Sequence, residues 1–344
     1  MSPGTGLCRH FPVEGFIVRA VLLDGPGGAE VLRMGEAKRP VIRSGQVLIK
    51  VAASSVNRAD INQRQGNYPP PPGESEILGL EVAGTIEELG PQVEGWHVGD
   101  RVMSLVGGGG YSEYAAAYAG HLIPVPKTMN FEEAACVCET YITAFLNIFM
   151  IGGFEDGQTG LLHGGGGGVN TAAIQLCTSL TPNAKILVTA SPGKLTRVKE
   201  LGADFVIDYT SGDFGEVVRE FTDQKGADLI LDHIGGDYLA SNMKSLAVEG
   251  SLVIIGLMGG SKAELNLAVM MVKRQRIIGS VLRARSVEEK SRITGAFATA
   301  VLPLLTDRTI VPLVHEVFPL DRVAEAHEIM ERSDHFGKIV LTPN

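Results

Sequence analysis

Gly160-Leu161-Leu162-His163 runs directly into Gly164-Gly165-Gly166-Gly167-Gly168, and behind these come Val169, Ala172, Ala173, Leu176 and Leu180 at helical spacing. The order is strand, glycine turn, helix. Gly165-x-Gly167 lets a backbone bend sharply and approach a pyrophosphate, while the free N–H groups at the start of the following helix attract its charge. Glycine runs also occur in linkers and ordinary turns, so the flanking sequence has to decide. The third fingerprint position counted from Gly165 is Asn170 rather than glycine or alanine, and this side chain is expected to crowd the helix against its strand.

The flanks decide for a nucleotide fold. Apolar runs recur at Ile186–Val188, Phe205–Ile207, Leu229–Leu231, Leu252–Ile255 and Ile277–Ile278, making six strands with the first. Stretches long enough for crossover helices separate them, among them Lys194–Leu201 and Phe214–Phe221. Continuous apolar strands alternating with helices predict a doubly wound parallel sheet covered on both faces, here over 141–280, with its ligand crevice at the carboxyl ends of the strands.

Charge chooses between the nicotinamide cofactors. An NAD site places an acid at the end of the second strand to accept from the ribose 2′-hydroxyl. From Gly157 through Lys199 there is no Asp or Glu, and the second strand ends in Thr189-Ala190-Ser191-Pro192-Gly193-Lys194 with Arg197 close behind. Hydroxyls and a cation suit a 2′-phosphate that a carboxylate would repel, so NADPH is expected.

The whole chain has 344 residues, enough for two domains, and carries a formal charge of −9. That acidity argues against nucleic acid or an anionic membrane surface as a partner, and no apolar run is long enough to span a bilayer. The four cysteines, Cys8, Cys136, Cys138 and Cys177, have neither disulfide-framework nor zinc-ribbon spacing, so a reducing, cytoplasmic setting is expected. Residues 1–16, with two prolines and three glycines, read as a disordered extension. From Val18 to Cys138 the pattern shifts to short strands and glycine turns, which predicts a mostly antiparallel, barrel-like domain. Helices are expected over Ser286–Leu305 and Val323–Met330, and Gly337-Lys338-Ile339-Val340-Leu341 reads as a final strand returning to that first domain.

Asn57-Arg58-Ala59-Asp60, Ile77-Leu78-Gly79-Leu80-Glu81, Val98-Gly99-Asp100-Arg101-Val102, Thr143-Ala144, Gly256-Leu257-Met258-Gly259-Gly260 and Gly337-Lys338-Ile339-Val340-Leu341 together resemble the medium-chain dehydrogenase/reductase superfamily. Within it they look most like the quinone oxidoreductase branch that includes zeta-crystallin. The run from Asn57 to Gly73 is especially similar to the tumour-suppressor-inducible quinone oxidoreductases. The resemblance implies a GroES-like catalytic domain over 17–140 and 281–344, with the Rossmann domain inserted between its two parts. It implies that Asn57, Asp60 and Tyr68 face the nicotinamide and substrate cleft, with Tyr68 binding and orienting a quinone. Thr143 would meet the nicotinamide or its ribose, and Gly165, Gly166, Gly167, Gly168 and Val169 the pyrophosphate. Ser191, Lys194 and Tyr209 would hold the adenosine 2′-phosphate, and Gly256, Leu257 and Met258 would flank the nicotinamide. A homodimer formed through the outer strand of the dinucleotide domain is also implied.

The same resemblance sets zinc apart. Zinc alcohol dehydrogenases of the superfamily have Gly-His-Glu where this chain has Gly79-Leu80-Glu81, and a four-cysteine lobe with no counterpart here. No metal is expected, and histidines such as His163 and His327 read as surface or locally hydrogen-bonded residues rather than ligands. The expected activity is NADPH-dependent quinone reduction. Reduction of an enal or enone double bond and a non-catalytic NADPH-binding role stand as alternatives.

Overall fold

The computed structural model describes residues 16–343, so the expected N-terminal extension, apart from Phe16, lies outside the described residues. An antiparallel pair, β1 (Ile17–Leu23) and β2 (Leu32–Lys38), opens the chain. A mixed, mostly antiparallel sheet follows from β3 (Gln46–Ser55), β4 (Glu81–Leu89), β5 (Arg101–Leu105), β6 (Tyr114–Tyr118) and β7 (Leu122–Pro124). Three helices belong to this stretch: α1 (Arg58–Arg64), α2 (Phe131–Ala134) and α3 (Cys138–Phe145). The sequence reading expected no helix at α1, whose start rests on a capping box between Asn57 and Asp60.

The parallel sheet comprises β8 (Thr159–His163), β9 (Lys185–Ala190), β10 (Phe205–Asp208), β11 (Ala227–Asp232), β12 (Leu246–Ile254) and β13 (Arg276–Gly279), in the order β10-β9-β8-β11-β12-β13. Its helices are α4 (Gly168–Leu180), α5 (Leu195–Glu200), α6 (Phe214–Phe221), α7 (Leu239–Ser245) and α8 (Leu267–Lys273). Adjacent residues along each central strand feed opposite cores. Leu161, Leu187, Ile230 and Leu252 pack with Phe214, Val218 and Met243 on one face. Leu162, Val188, Leu231 and Val253 pack with Ala172, Ile174 and Leu176 on the other. This is why the strands read as unbroken apolar runs: neither face meets water, and each fully buried leucine contributes about 1.5–3 kcal/mol.

The chain ends with α9 (Val287–Thr306), β14 (Val314–Pro319), α10 (Val323–Arg332) and β15 (Lys338–Thr342). β15 pairs antiparallel with β3 and parallel with β14, so the last strand does rejoin the first sheet. The larger core is shared by the two sheets, since Met103, Ile142, Phe145 and Phe297 lie in one cluster with Leu162 and Leu176. Residue 141 falls inside α3, a helix common to both layers.

Candidate active site

The glycine turn sits at the carboxyl end of β8, with Gly164 at φ +78° and Gly167 as the N-cap of α4. Gly164 and Gly165 both donate to the Thr189 carbonyl, at 3.0 and 2.9 Å, which pulls the loop against the end of β9. Space demands glycine at Gly165, where an added Cβ would lie 2.6 Å from Val188 and 2.8 Å from Val198. At Gly167 the nearest atom would be 3.7 Å away, so that position is open on the side where a ligand would approach. Asn170 is buried but does not push the helix away from the strand as expected. Its amide folds under the loop and donates to the carbonyls of His163 and Gly164.

A polar chain supports the turn from below. His163 bonds Thr189 Oγ1 at 3.1 Å and Asn242 Oδ1 at 2.8 Å, and Asn242 donates to Asp232 at 3.1 Å. Burial pushes the His163 imidazole down to about 3, and it acts as a neutral strut.

Cations surround the loop. Lys194 lays its stem across Gly166 and donates to the Ser333 carbonyl at 2.7 Å. Arg58 donates to the Met330 carbonyl at 2.8 Å, and the Arg197 guanidinium covers the Phe336 ring at 3.9 Å. His335, 4% exposed, leaves Nδ1 without a partner among the described residues. Burial, then the positive charges of Lys194, Arg58 and Lys338, push its imidazole down to about 4. A neutral imidazole and several cations beside the N-terminal end of α4 fit an anionic pyrophosphate.

The remaining expected contacts divide. Asp208 pairs in register with Ala190, so half-buried Ser191 and exposed Tyr209 follow neighbouring strand ends. Lys194 is turned toward α10 and must leave Ser333 to join them. Gly256, Leu257 and Met258 follow β12, with Leu257 and Met258 more than half exposed and the Met258 N–H held by the His233 carbonyl at 3.1 Å. Val169 and Thr143 are half-buried.

Asp60 corrects the expectation that it lines the cleft. It is 0% exposed, and its carboxylate accepts from the Asn57 and Gly79 N–H groups and the Tyr111 hydroxyl at 2.8, 3.0 and 3.1 Å. Burial raises it to about 6 against those donors. Asn57 is likewise internal, its amide spanning Glu81 at 3.1 Å and Lys338 at 2.5 Å. Both side chains are thus taken up by bonds inside the wall. Tyr68 is half-buried, and Arg283 lies over its ring at 5.2 Å. Arg283 also donates to the Tyr68 carbonyl at 3.3 Å and the Gly107 carbonyl at 2.7 Å, clamping the two loops together.

Sequence reading missed Glu139, Arg283 and the role of Lys338. Lys338 reaches from β15 to pair with buried Glu81 at 3.1 Å, and its stem fills the space beside Gly168. An isolated cation in an apolar strand was the available signal, because a buried lysine needs a partner. Glu139 and Arg283 have no local signal; they meet only through the fold.

A zinc ion does not fit these residues. Glu81, at the position flanking the expected ligand, is saturated by Ser55, Asn57, Lys338 and the Glu139 N–H. Among the described residues no three His, Cys, Asp or Glu side chains are grouped to hold an ion.

Two family models match the chain: an alcohol dehydrogenase GroES-like domain over 43–127 and a zinc-binding dehydrogenase domain over 201–341. A quinone oxidoreductase of Mus musculus is 31% identical over 330 residues, covering 94% of this chain and 98% of that one. The chain belongs to the medium-chain dehydrogenase/reductase superfamily. Members of other kinds lie equally near. The synaptic vesicle membrane protein VAT-1 homolog of Danio rerio is 31% identical over 95% of this chain and 70% of its own length, whereas VAT-1 homolog-like proteins are matched over under half of theirs. Among solved structures, a mycobacterial superfamily protein complexed with NADPH superposes with TM-score 0.85 at 28% identity, over 95% of this chain and 100% of that one. An NAD-dependent alcohol dehydrogenase gives 0.83 at 31%, over 95% and 100%, and the CurK enoyl reductase 0.83 at 25%, over 95% and 99%. The chain is thus an oxidoreductase of this superfamily, built for a nicotinamide cofactor.

Proposed function

We propose that the protein is an NADPH-dependent quinone reductase of the zeta-crystallin-like branch that works without zinc. The observation that carries this reading is the cleft wall: Tyr68 and Glu139 offer hydrogen-bonding groups there, and among the described residues no three His, Cys, Asp or Glu side chains are grouped to hold a metal. A quinone suits such a wall, because it is its own electron sink and asks of the protein only hydrogen bonds to its oxygens. When bound, the cofactor supplies a hydride. The chain's residues hold its phosphates on Gly165–Val169, fix the flat acceptor beside Tyr68 and keep that wall rigid through Arg283.

Steady-state NADPH oxidation with ortho-quinones, para-quinones and enones side by side tests the assignment. Quinone turnover is expected to dominate. Turnover of enones alone would replace it by double-bond reduction, the second reading that likeness to the enoyl reductase favours.

Preference for the phosphorylated cofactor rests on Ser191 and Lys194, within a stretch from Gly157 to Lys199 that has no acid, and on Tyr209 at the end of the next strand. Lys194→Ala is expected to raise the NADPH Kd about tenfold, the worth of one charge-assisted bond, and to leave NADH unchanged. Fluorescence titration of both cofactors checks it, and an equal effect on the two would remove the 2′-phosphate role.

The proposed assembly is a cytoplasmic homodimer. β13 is an edge strand with an unpaired side, and Leu267, Met271 and Val272 on neighbouring α8 are 68%, 73% and 71% exposed. Sedimentation should give a dimer for the wild type and a monomer for Met271→Asp. A monomeric wild type would refute the assembly.

A further inference from the structure

Helix α3 leaves two side chains only half-buried. Every other residue of Cys138–Phe145 is buried, and Glu139 and Thr143 stand four apart on one face. The family resemblance sets Thr143 against the nicotinamide, and Glu139 stands one turn away on the same face of the helix. The main chain at Glu139 is fixed, because its N–H donates to Glu81 Oε2 at 2.8 Å.

The neighbouring cations are engaged elsewhere. Lys338 is paired with Glu81 at 3.1 Å. Arg283 is occupied by the carbonyls of Gly107 and Tyr68 and by Gln63, and Lys290 donates to the Arg283 carbonyl at 3.0 Å. Among the described residues the Glu139 carboxyl therefore has neither an ion pair nor a hydrogen bond. It borders a cavity of about 10 Å³, room for about one water, which Glu74, His121, Arg283 and Lys290 also line.

We propose that Glu139 is the proton donor of this site, delivering its carboxylic proton to the acceptor oxygen as hydride reaches the acceptor. This rests on the reductase reading. The balance closes: the quinone gains the hydride, with its two electrons, and one proton from Glu139, becoming a hydroquinone. The reduced cofactor is oxidised, and solvent returns a proton to the Glu139 carboxylate.

The surroundings keep the acid form available. Burial, then the Glu81 anion, raise Glu139 to about 8; Asp60 adds to the rise, and Lys338 and Arg283 oppose it. The Tyr68 phenol is itself raised by burial and then by Glu139, so it stays neutral beside the carboxyl. His121 is lowered by burial, and Lys290 and Glu74 complete the charged groups facing the cavity. Since the acid form is the active one, turnover should be lost as pH rises through the folded value.

The test compares the full-length wild type with Glu139→Gln and Glu139→Asp. Expected for the wild type is a kcat with quinone that is level to about pH 8 and falls tenfold per pH unit above it. Glu139→Gln should lower kcat on the order of 10²-fold, flatten that alkaline limb and leave the NADPH Kd within about twofold. Glu139→Asp should regain part of the rate. Independently of activity, carbon-13 NMR of glutamate-labelled enzyme without cofactor should show one carboxyl titrating near 8 that is missing in Glu139→Gln. Thermal unfolding supplies a second such readout. The folded value of about 8 exceeds the ordinary 4.5, so the native state binds the extra proton between them, and wild-type stability relative to Glu139→Gln should fall across that window. Glu139→Gln turning over quinone within about threefold of wild type with the same pH profile, or a carboxyl titrating below about 5, would overturn the donor role alone. A wild type that binds NADPH but reduces no quinone would overturn the reductase reading, and the donor role with it.

Discussion

Lys338→Met is expected to destabilise the protein by about 3 kcal/mol, the low end of what breaking a buried ion pair costs. Lys338 is 3% exposed and Glu81 0%, so the substitution leaves an anion in the interior. Three donors remain on that anion, from Ser55, Asn57 and the Glu139 N–H, and they hold the loss to the lower limit. Adding Glu81→Gln should recover most of it, because no unpaired charge is then buried. Urea unfolding of the two variants measures both numbers, and a single variant as stable as wild type would show that the pair does not stabilise this sheet. The damage should extend to the cofactor. Lys338 packs beside Gly168, and the Gly337 N–H donates to the Gly166 carbonyl at 3.0 Å, so the last strand props the glycine loop directly.

Gly167→Ala is expected to weaken NADPH binding on the order of 10²-fold, the loss of about two charge-assisted hydrogen bonds, with stability changed by less than about 1 kcal/mol. The separation of the two effects follows from geometry. Gly167 has φ −79° and an extended ψ, which alanine adopts freely, and a methyl group there meets nothing closer than 3.7 Å within the protein. Only a ligand drawn tightly onto the loop would feel it. Gly165→Ala is the contrasting case: its methyl collides with Val188 and Val198, so stability and binding should fall together. Titration of NADPH fluorescence alongside thermal unfolding gives both readouts. Wild-type affinity in Gly167→Ala would mean that the glycine run is an ordinary turn.

Much of the parallel sheet was legible because its signal is local. An apolar run of two to four residues needs no distant partner to be recognised, and all six such runs became strands. Asn170 shows where local reading fails. A fingerprint comparison sees a side chain too large for its place, while the fold finds two carbonyls for that amide to bond. Asp60 differs in another way, since the family resemblance set it in the cleft whereas its three donors, drawn from the N-cap of α1, the turn before β4 and Tyr111, hold it inside the wall.

By itself, the sequence determined the alternation of strands and helices, the glycine bend, the acid-free end of the second strand and the absence of a zinc-ligand pattern, because each depends on residue type and short spacing. Tertiary structure alone decided that Lys338 belongs to Glu81, that Arg283 clamps Tyr68 to the Gly107 loop, and that the half-buried Glu139 carboxyl has no counterion among the described residues. Those are consequences of desolvation and of which charges are paired. Both depend on partners 58 to more than 250 residues away along the chain, which no local pattern can specify.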